Sequence, residues 1–348
     1  MPSSSTPLRF GVLGGANIAK QFVRDVAQSP LVRVDAVASR RPEASQAFAS
    51  SQGIGRHHGS YEALLADPQI DAIYLPLPNS LHAEWAIKAA EAGKHVLCEK
   101  PLALSRAEAE AMFDAARRHR VMLLESFPYW FQPQTGALVG LLQSGAIGDV
   151  RLVQASFGFR LLAPEGNIRM DPALGGGALL DAGSYPLSLV RLAMGRAPQR
   201  VQADARWSAQ GVDMGMNATL HYEDGACAQV SCAMDVAMHR AALIVGTEGV
   251  LETEYLNHTA AQAGAHPFGW LPSRLRVRRG VAGSIPFEDV PAATGSGFRF
   301  AAEAFAKLVE TRDFDAFERA AAASVDQAAT LEALARSAKE GRAVTLRA

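Results

Sequence analysis

Short apolar segments alternate with segments of helical periodicity through residues 1–127, and this alternation constrains the fold more than any other feature. Each apolar segment is short and bounded by turn-forming or charged residues, as strands of a parallel sheet are. Strands that alternate with helices of this length predict a doubly wound parallel sheet in an α/β domain. The predicted strands are Leu8–Leu13, Leu31–Ala38, Asp71–Leu75, Val96–Cys98 and Val121–Leu124.

A turn of small residues follows the first predicted strand and opens a helix. Gly14-Gly15-Ala16-Asn17-Ile18-Ala19 is a relaxed form of the G-x-G-x-x-G/A pattern. Small residues in such a turn let the backbone approach a pyrophosphate, which then lies at the helix N-terminus. A turn that is small only for packing is the alternative, but its place between strand and helix favours a Rossmann domain. Gly14, Ala16, Asn17 and Ile18 are therefore predicted to bind a dinucleotide.

The end of the second predicted strand indicates which dinucleotide is bound. NAD-binding domains usually place an Asp or Glu there, about 20 residues after the glycines, to bind the adenosine ribose. This chain has Ser39-Arg40-Arg41 instead, and Asp35 lies too early in the strand. A hydroxyl and two guanidinium groups suit a 2′-phosphate, since arginine binds phosphate through paired hydrogen bonds. We therefore expect NADP, with two solvated arginines before a helix as the alternative.

The loop after the third predicted strand carries Pro76 and Pro78. Ligands of open α/β sheets bind at the carboxyl ends of the strands, so Leu75, Pro76 and Asn79 are predicted to border the cofactor. His82 is predicted to join them. Two placements of His82 stay open, because it either faces the site or completes the first turn of the following helix.

Charged residues also follow the Val96–Cys98 strand, in the sequence Glu99-Lys100-Pro101. Pro101 fixes its own φ and restricts Lys100 towards extended conformations, so the direction of the lysine is held. Their position at the carboxyl edge of the sheet makes Glu99 and Lys100 candidates for the cofactor site. An exposed Glu-Lys pair at a strand end is the alternative.

Composition excludes several classes of protein. The chain has 348 residues, enough for two domains, and a net charge of −1, so it has no basic field for nucleic acid. No apolar run reaches the ~18 residues that a membrane span requires. Three cysteines without C-x-x-C or metal-ligand spacing indicate reduced thiols in a cytoplasmic protein and predict no metal site.

Together, Gly14–Ala19, Pro78–His82 and Glu99–Pro101 resemble the Gfo/Idh/MocA oxidoreductase family. The run Gly175-Gly176-Gly177-Ala178-Leu179-Leu180-Asp181-Ala182-Gly183-Ser184-Tyr185 is similar to a second segment of that family. The resemblance implies an NADP-binding Rossmann domain (1–127) and an α+β substrate and dimerisation domain (128–348) with a large, mostly antiparallel open sheet. It also implies that the late helices pack back on the first domain. We expect a homodimer or larger homo-oligomer, because an exposed apolar sheet face would aggregate.

The resemblance further implies that Lys100 and Tyr185 are catalytic and meet at the nicotinamide. Many members carry His at the position of Tyr185, and tyrosine places the chain nearer the glucose–fructose oxidoreductase and dihydrodiol dehydrogenase branch. The substrate expected from this resemblance is a sugar or polyol. The residues predicted to contact it are Lys100, Trp130, Arg160, Arg169, Asp181 and Tyr185.

Other functions stay open at the level of sequence. One is an oxidoreductase that keeps NADP(H) tightly bound and passes hydride between two sugars. Another is a hydrolase or lyase that uses transient oxidation. A third is a non-catalytic NADP-binding sensor, against which the presence of both Lys100 and Tyr185 counts.

Overall fold

The structure is a computed structural model that describes residues 6–254, 274–293 and 295–346. The strands are β1 (Leu8–Leu13), β2 (Val32–Ala38), β3 (Arg56–His58), β4 (Ala72–Leu75), β5 (His95–Glu99), β6 (Leu123–Ser126), β7 (Val150–Arg160), β8 (Arg200–Trp207), β9 (Asp213–His221), β10 (Cys227–Ala233), β11 (Asp235–Gly246), β12 (Gly249–Glu254), β13 (Arg274–Arg279), β14 (Glu288–Asp289) and β15 (Val344–Thr345). The α-helices are α1 (Asn17–Val26), α2 (Pro42–Gln52), α3 (Tyr61–Leu65), α4 (His82–Glu91), α5 (Arg106–His119), α6 (Pro133–Gln143), α7 (Ser184–Met194), α8 (Gly297–Thr311) and α9 (Phe314–Glu340).

The chain divides into two compact units. The first consists of Met1–Ala103, Ala107–Pro128 and Phe298–Ser324. The second consists of Leu104–Arg106, Tyr129–Gly297 and Val325–Ala348. Each unit is therefore assembled from segments that are distant in sequence.

The first unit contains a six-stranded parallel sheet with the order β3-β2-β1-β4-β5-β6. Strands β2 and β3 follow on one side of β1, and β4, β5 and β6 follow on its other side, as in a doubly wound sheet. This order confirms the predicted fold. Strand β3 was not predicted, because its sequence Arg56-His57-His58 is polar and it lies at the sheet edge. Strand β6 begins at Leu123 rather than Val121, so that Glu125 lies within the sheet.

Aromatic side chains form the core of the first unit on one side of its sheet. The ring of Phe22 stacks on Tyr74, with 3.8 Å between the ring centroids. Phe10 packs against Phe22 at 5.8 Å and against Phe305 at 6.0 Å, and Phe298 contacts Phe22 at 6.2 Å. Helix α8 therefore adds two aromatic side chains to a core that also contains aromatic side chains of β1, α1 and β4.

The second unit contains a nine-stranded sheet with the order β14-β13-β12-β11-β7-β10-β9-β8-β15. Its strands pair antiparallel except for β7 and β10, which run parallel. This sheet confirms the expected large, mostly antiparallel sheet. Helix α7 packs on one face of it, where Phe157 of β7 contacts Tyr185.

The other face of this sheet carries both polar and apolar side chains. A broad depression of about 870 Å³ lies on it. The polar and charged residues that line this depression are Gln154, Ser156, Gln202, Asp204, Asn217, Thr219, Gln229, Ser231, Glu252, Thr253, Glu254 and Arg274. The apolar residues that line it are Ala155, Ala218, Val230, Ala241, Ala242 and Leu243, so the covering of this face in an oligomer stays a prediction.

None of the helices in the described residues has the length and apolar character that crossing a membrane requires. In the same parts of the chain, no three His, Cys, Asp or Glu side chains are grouped so as to hold a metal ion.

Candidate active site

The turn between β1 and α1 lacks room for a side chain at its first position. Gly14 has φ +93°, and a Cβ there would lie 2.9 Å from Cδ2 of Leu77. Helix α1 then begins at Asn17, and no side chain caps its N-terminus. The first N–H groups of a helix attract anions, so the turn and this terminus fit a pyrophosphate.

A cavity of about 450 Å³ lies beside this turn. The residues that line it are Gly14, Gly15, Ala16, Ser39, Arg40, Arg41, Tyr61, Pro76, Leu77 and Pro78. The structure thus brings together six predicted cofactor residues, namely Gly14, Ala16, Ser39, Arg40, Arg41 and Pro76. Asn17 is exposed at the start of α1 and Ile18 is half-buried beside it, whereas the side chain of Leu75 is fully buried in the core.

Tyr61 is a cavity residue that the sequence did not reveal. It lines the cavity together with Arg40, and its ring packs edge-on against Trp85 at a centroid distance of 4.8 Å. Burial raises the pKa of Tyr61, while the nearby guanidinium of Arg40 acts to lower it. A neutral phenol therefore lies close to the guanidinium of Arg40. The sequence signal for this role is weak, because Tyr61 begins a short helix and the strand before it, β3, was not predicted.

His82 supports two loops from inside the first unit. Its side chain is fully buried, with Nδ1 at 2.9 Å from the carbonyl oxygen of Pro101 and Nε2 at 2.9 Å from that of Leu77. Burial is the main cause that holds the pKa of His82 below its ordinary value. With both ring nitrogens against backbone carbonyls, His82 is not placed as a direct cofactor contact. Asn79 lies one turn earlier, in a 3₁₀ turn, and is half-buried.

Glu99 and Lys100 end strand β5 at the carboxyl edge of the parallel sheet. The hydroxyl of Tyr74 donates a hydrogen bond of 2.6 Å to Oε1 of Glu99, which is 8% exposed. Lys100 is half-buried and is joined to Pro101 by a cis peptide bond. The backbone N–H of Leu102 then donates to Oε1 of Glu125 at 2.9 Å. The segment that carries Lys100 is thus held at its strand end and again two residues later.

Tyr185 lies at the start of α7 in the second unit and is 3% exposed. Its ring packs edge-on against Phe157 at 5.4 Å and tilts against Tyr129 at 6.1 Å. The hydroxyls of Tyr129 and Ser188 are 2.6 Å apart, and Ser188 donates to the carbonyl oxygen of Tyr185. These contacts fix the ring of Tyr185 through groups other than its own hydroxyl.

A π-helical turn, Leu179–Gly183, leads into α7. Asp213 holds its beginning, because Oδ2 accepts a hydrogen bond of 2.6 Å from the N–H of Leu179. A Cβ at Gly177, which has φ +112°, would lie 2.1 Å from Oδ1 of the same carboxylate. This segment is thus wider than an α-helical turn, and π-helical turns of this kind are often found at functional sites.

Asp181 is paired with Arg169. Nε of Arg169 donates to Oδ2 of Asp181 at 2.5 Å, and the guanidinium lies over the ring of Phe159 at 5.8 Å. The charge of Asp181 is the largest cause that raises the pKa of Arg169, and Tyr185 contributes in the same direction. Arg169 and Asp181, two of the predicted substrate residues, therefore form an ion pair near Tyr185, a third.

Two other predicted substrate residues lie in different settings. Arg160 is exposed, and the alternation of β7 turns it to the face opposite Phe157 and Phe159, so the structure does not bring it to Tyr185. Trp130 is half-buried, and its indole N–H donates to the hydroxyl of Tyr129 at 2.8 Å. Trp130 is therefore connected to the surroundings of Tyr185, whereas Arg160 is not.

Comparison with known proteins identifies the family. A family model described as "Oxidoreductase family, NAD-binding Rossmann fold" matches residues 8–127, and the "GFO/IDH/MocA C-terminal domain" model matches residues 137–252. The chain belongs to the Gfo/Idh/MocA family. As a member of this family, it is an NAD(P)-dependent oxidoreductase, and the predicted resemblance is confirmed.

Three similar proteins span nearly the whole chain of this Gfo/Idh/MocA member. D-xylose 1-dehydrogenase (NADP(+)) 2 of Haloferax volcanii is 37% identical over 340 residues, covering 97% of this chain and 100% of the relative. A 3-ketoreductase of Actinomadura kijaniata, solved with NADP and TDP-benzene, is 32% identical with a TM-score of 0.81, covering 95% and 98% of the two chains. An aldose-aldose oxidoreductase of Caulobacter crescentus, solved with glycerol, is 26% identical with a TM-score of 0.84, covering 98% and 100%.

Proposed function

We propose that this chain catalyses reversible NADP-dependent hydride transfer to and from a carbinol carbon of a sugar or polyol. The observation that carries the proposal is the cavity in which the Gly14 turn lies beside Ser39, Arg40 and Arg41. The dehydrogenase relative named for NADP(+) and the ketoreductase solved with NADP support the same cofactor.

The residues of this cavity fit NADP better than NAD. Gly14 leaves the space that a side chain would fill, and the guanidinium of Arg40 lies close to the phenol of Tyr61. We propose that Ser39, Arg40 and Arg41 bind the 2′-phosphate, which NAD lacks, through charge-assisted hydrogen bonds. We further propose that the backbone around Gly14, Ala16, Asn17 and Ile18 receives the pyrophosphate, while Leu75, Pro76 and Asn79 border the dinucleotide through the loop after β4.

When bound, NADP(H) supplies the hydride acceptor or donor. Oxidation of an alcohol also requires a group that takes the hydroxyl proton and a group that stabilises negative charge on that oxygen. We propose that the phenol of Tyr185 moves the proton and that the ammonium of Lys100 donates a hydrogen bond to the same oxygen. Glu99, anchored by Tyr74, would orient Lys100 or border the nicotinamide.

We propose that Asp181 and Arg169 bind substrate hydroxyls as one paired group. Because the pair carries no net charge, it suits the neutral hydroxyls of a sugar better than an anionic group. Trp130, oriented by its bond to Tyr129, offers an apolar ring face to the sugar. Arg160 is left out of this proposal because of its position on the other face of β7.

A panel of aldoses, ketoses and cyclitols, each assayed with NADP and with NAD at the nicotinamide absorbance, tests the proposal. Turnover of at least one sugar or polyol with a preference for NADP is the expected result. Absence of turnover across the panel, in both directions, would contradict it.

A second candidate is hydride exchange between two sugars on an NADP(H) that stays bound. The similarity to an aldose-aldose oxidoreductase favours it. The cofactor content of the purified protein separates the two candidates, because exchange requires stoichiometric NADP(H) to remain bound through gel filtration and sugars to be converted in pairs without added cofactor.

We propose that the chain forms a homodimer through the open face of its nine-stranded sheet. The broad depression on this face carries small polar side chains and both signs of charge, so two copies related by a two-fold axis can exchange hydrogen bonds across it. Sedimentation of the purified protein tests this, and a monomer mass at every concentration would contradict it.

A further inference from the structure

Glu125 is a buried carboxyl group directly beneath the segment that carries Lys100. Glu125 lies in β6 opposite Cys98 of β5 and is only 1% exposed. Oε1 accepts a hydrogen bond of 2.9 Å from the N–H of Leu102. Glu125 therefore touches the backbone two residues after Lys100.

The second oxygen of Glu125 lies in an unusual position. Oε2 is buried and has no hydrogen-bond partner among the residues that the structure describes. A buried carboxylate oxygen without a donor is costly, whereas a protonated carboxyl carries no charge to solvate. The geometry thus favours the neutral form of Glu125.

The surroundings of Glu125 determine the pH at which its carboxyl group ionises. Burial raises the pKa of Glu125 to about 7, and the charge of Glu99 acts in the same direction. The hydroxyl of Ser324 in α9, the N–H of Leu102 and the ammonium of Lys100 oppose this increase. Cys98, whose thiol is buried and whose own pKa is raised well above its ordinary value, contributes no charge.

We propose that Glu125 is a positioning residue for Lys100 that supports the Lys100–Leu102 segment as a neutral carboxyl and weakens the action of Lys100 when it ionises. This inference rests on the proposed function, in which Lys100 stabilises negative charge on the substrate oxygen. A carboxylate at Glu125 attracts the ammonium of Lys100 and offsets its field at that oxygen. The rate of carbonyl reduction therefore falls as Glu125 loses its proton.

The decisive experiment follows Lys100 without any substrate. In protein labelled with ¹³C at lysine Cε, the Lys100 resonance, assigned with Lys100→Arg, is followed from pH 5 to pH 9. We expect a chemical-shift step with its midpoint near pH 7 in the unmodified protein. The step should be absent in Glu125→Gln, and it should move to higher pH in Ser324→Ala, because the Ser324 hydroxyl acts to lower the pKa of Glu125.

Ser45→Ala is the matched control for Ser324→Ala. Ser45 is a fully buried serine of the first unit whose hydroxyl donates to the carbonyl of Pro42 in α2. Its removal should leave the midpoint in place. A step that persists unchanged in Glu125→Gln, or no step at all in the unmodified protein, overturns the proposal.

The kinetic consequence is measured in the direction of carbonyl reduction with NADPH. We expect kcat to fall about tenfold across the same midpoint, since a change in field worth one pKa unit corresponds to about tenfold in rate. The fall in kcat should be absent in Glu125→Gln, and in Ser324→Ala its midpoint should move to the same pH as the chemical-shift step. A fall in kcat with an unchanged midpoint in both variants overturns the effect on the rate. A chemical-shift step without any turnover contradicts only the proposed function.

Discussion

The phenol of Tyr61 lies close to the guanidinium of Arg40 beside the Gly14 turn. Arg40 follows β2, whereas Tyr61 begins α3 after β3, so the two residues bring together the connections at the ends of two neighbouring strands. We propose that the phenol orients one of the two arginines that bind the 2′-phosphate before the cofactor arrives. Coenzyme preference then depends on a tyrosine as well as on the arginines.

Replacing Arg40 and Arg41 together with alanine should weaken NADP binding at least about 100-fold, because hydrogen bonds to charged groups contribute about 1.5–3 kcal/mol each. NAD binding should change little, since NAD has no 2′-phosphate. Fluorescence titration with NADPH and NADH measures both. Arg33→Ala is the control, since Arg33 is an exposed arginine within the preceding strand β2, and it should alter neither affinity. Equal loss for both coenzymes in the double variant would argue against a phosphate site.

Tyr61→Phe should weaken NADP binding by about 3- to 10-fold, because losing one polar contact to Arg40 costs about 0.5–1.5 kcal/mol, and should leave NAD binding unchanged. The phenyl ring keeps the contact with Trp85, so the fold should persist. Tyr222→Phe removes a buried hydroxyl of the second unit that has no described hydrogen-bond partner, and serves as the matched control. If both variants bind NADP equally well, Tyr61 does not orient Arg40 for binding.

Tyr185→Phe should lower kcat by about 10²–10⁴-fold, the usual cost of losing a general acid–base group. Packing on Phe157 and Tyr129 needs only the ring, so NADPH binding and the melting temperature should stay near those of the unmodified protein. Lys100→Ala should cost at least as much, and the double variant should lose less than the product of the two effects. Near-full turnover by Tyr185→Phe would mean that another group moves the proton.

Gly177→Ala should lower the melting temperature and the activity together. The added Cβ would collide with the carboxylate of Asp213, and alanine disfavours φ +112°. Gly195→Ala is the matched control, because it has φ +69° and no atom within 4 Å of the added Cβ. The free energy of unfolding of Gly195→Ala should fall only by the cost of a left-handed φ in a residue with a side chain, about 1–2 kcal/mol. A similar loss of stability in both variants would mean that the contact with Asp213 adds nothing.

The sequence was sufficient to predict most of the fold. Strand–helix alternation predicted the parallel sheet, and the small turn at Gly14 was correctly placed between β1 and α1. The order of the strands also brought Ser39, Arg40 and Arg41 to the same cavity as Gly14, as the rule for doubly wound sheets requires. These inferences succeeded because they depend on periodicity and on backbone geometry.

Inferences that depend on side-chain direction were less accurate. A 3₁₀ turn precedes α4 and places His82 inside the unit, and the two-residue shift of β6 brings Glu125 into the sheet. The contact between Asp213 and Leu179 joins segments far apart in sequence, with no local pattern to indicate it. Arg160 was predicted to contact the substrate, but strand alternation turns it to the face opposite Phe157 and Phe159.

The discontinuity of the two units has a consequence for synthesis of the chain. Phe298 and Phe305 complete the core around Phe10 and Phe22, yet they leave the ribosome only after nearly all of the second unit. The second unit in turn requires β15, which pairs with β8. Neither unit can therefore finish folding during translation until the last helices emerge. A fragment cut at Pro128 should expose the apolar side of its sheet and aggregate, although its sequence alone resembles a complete Rossmann domain.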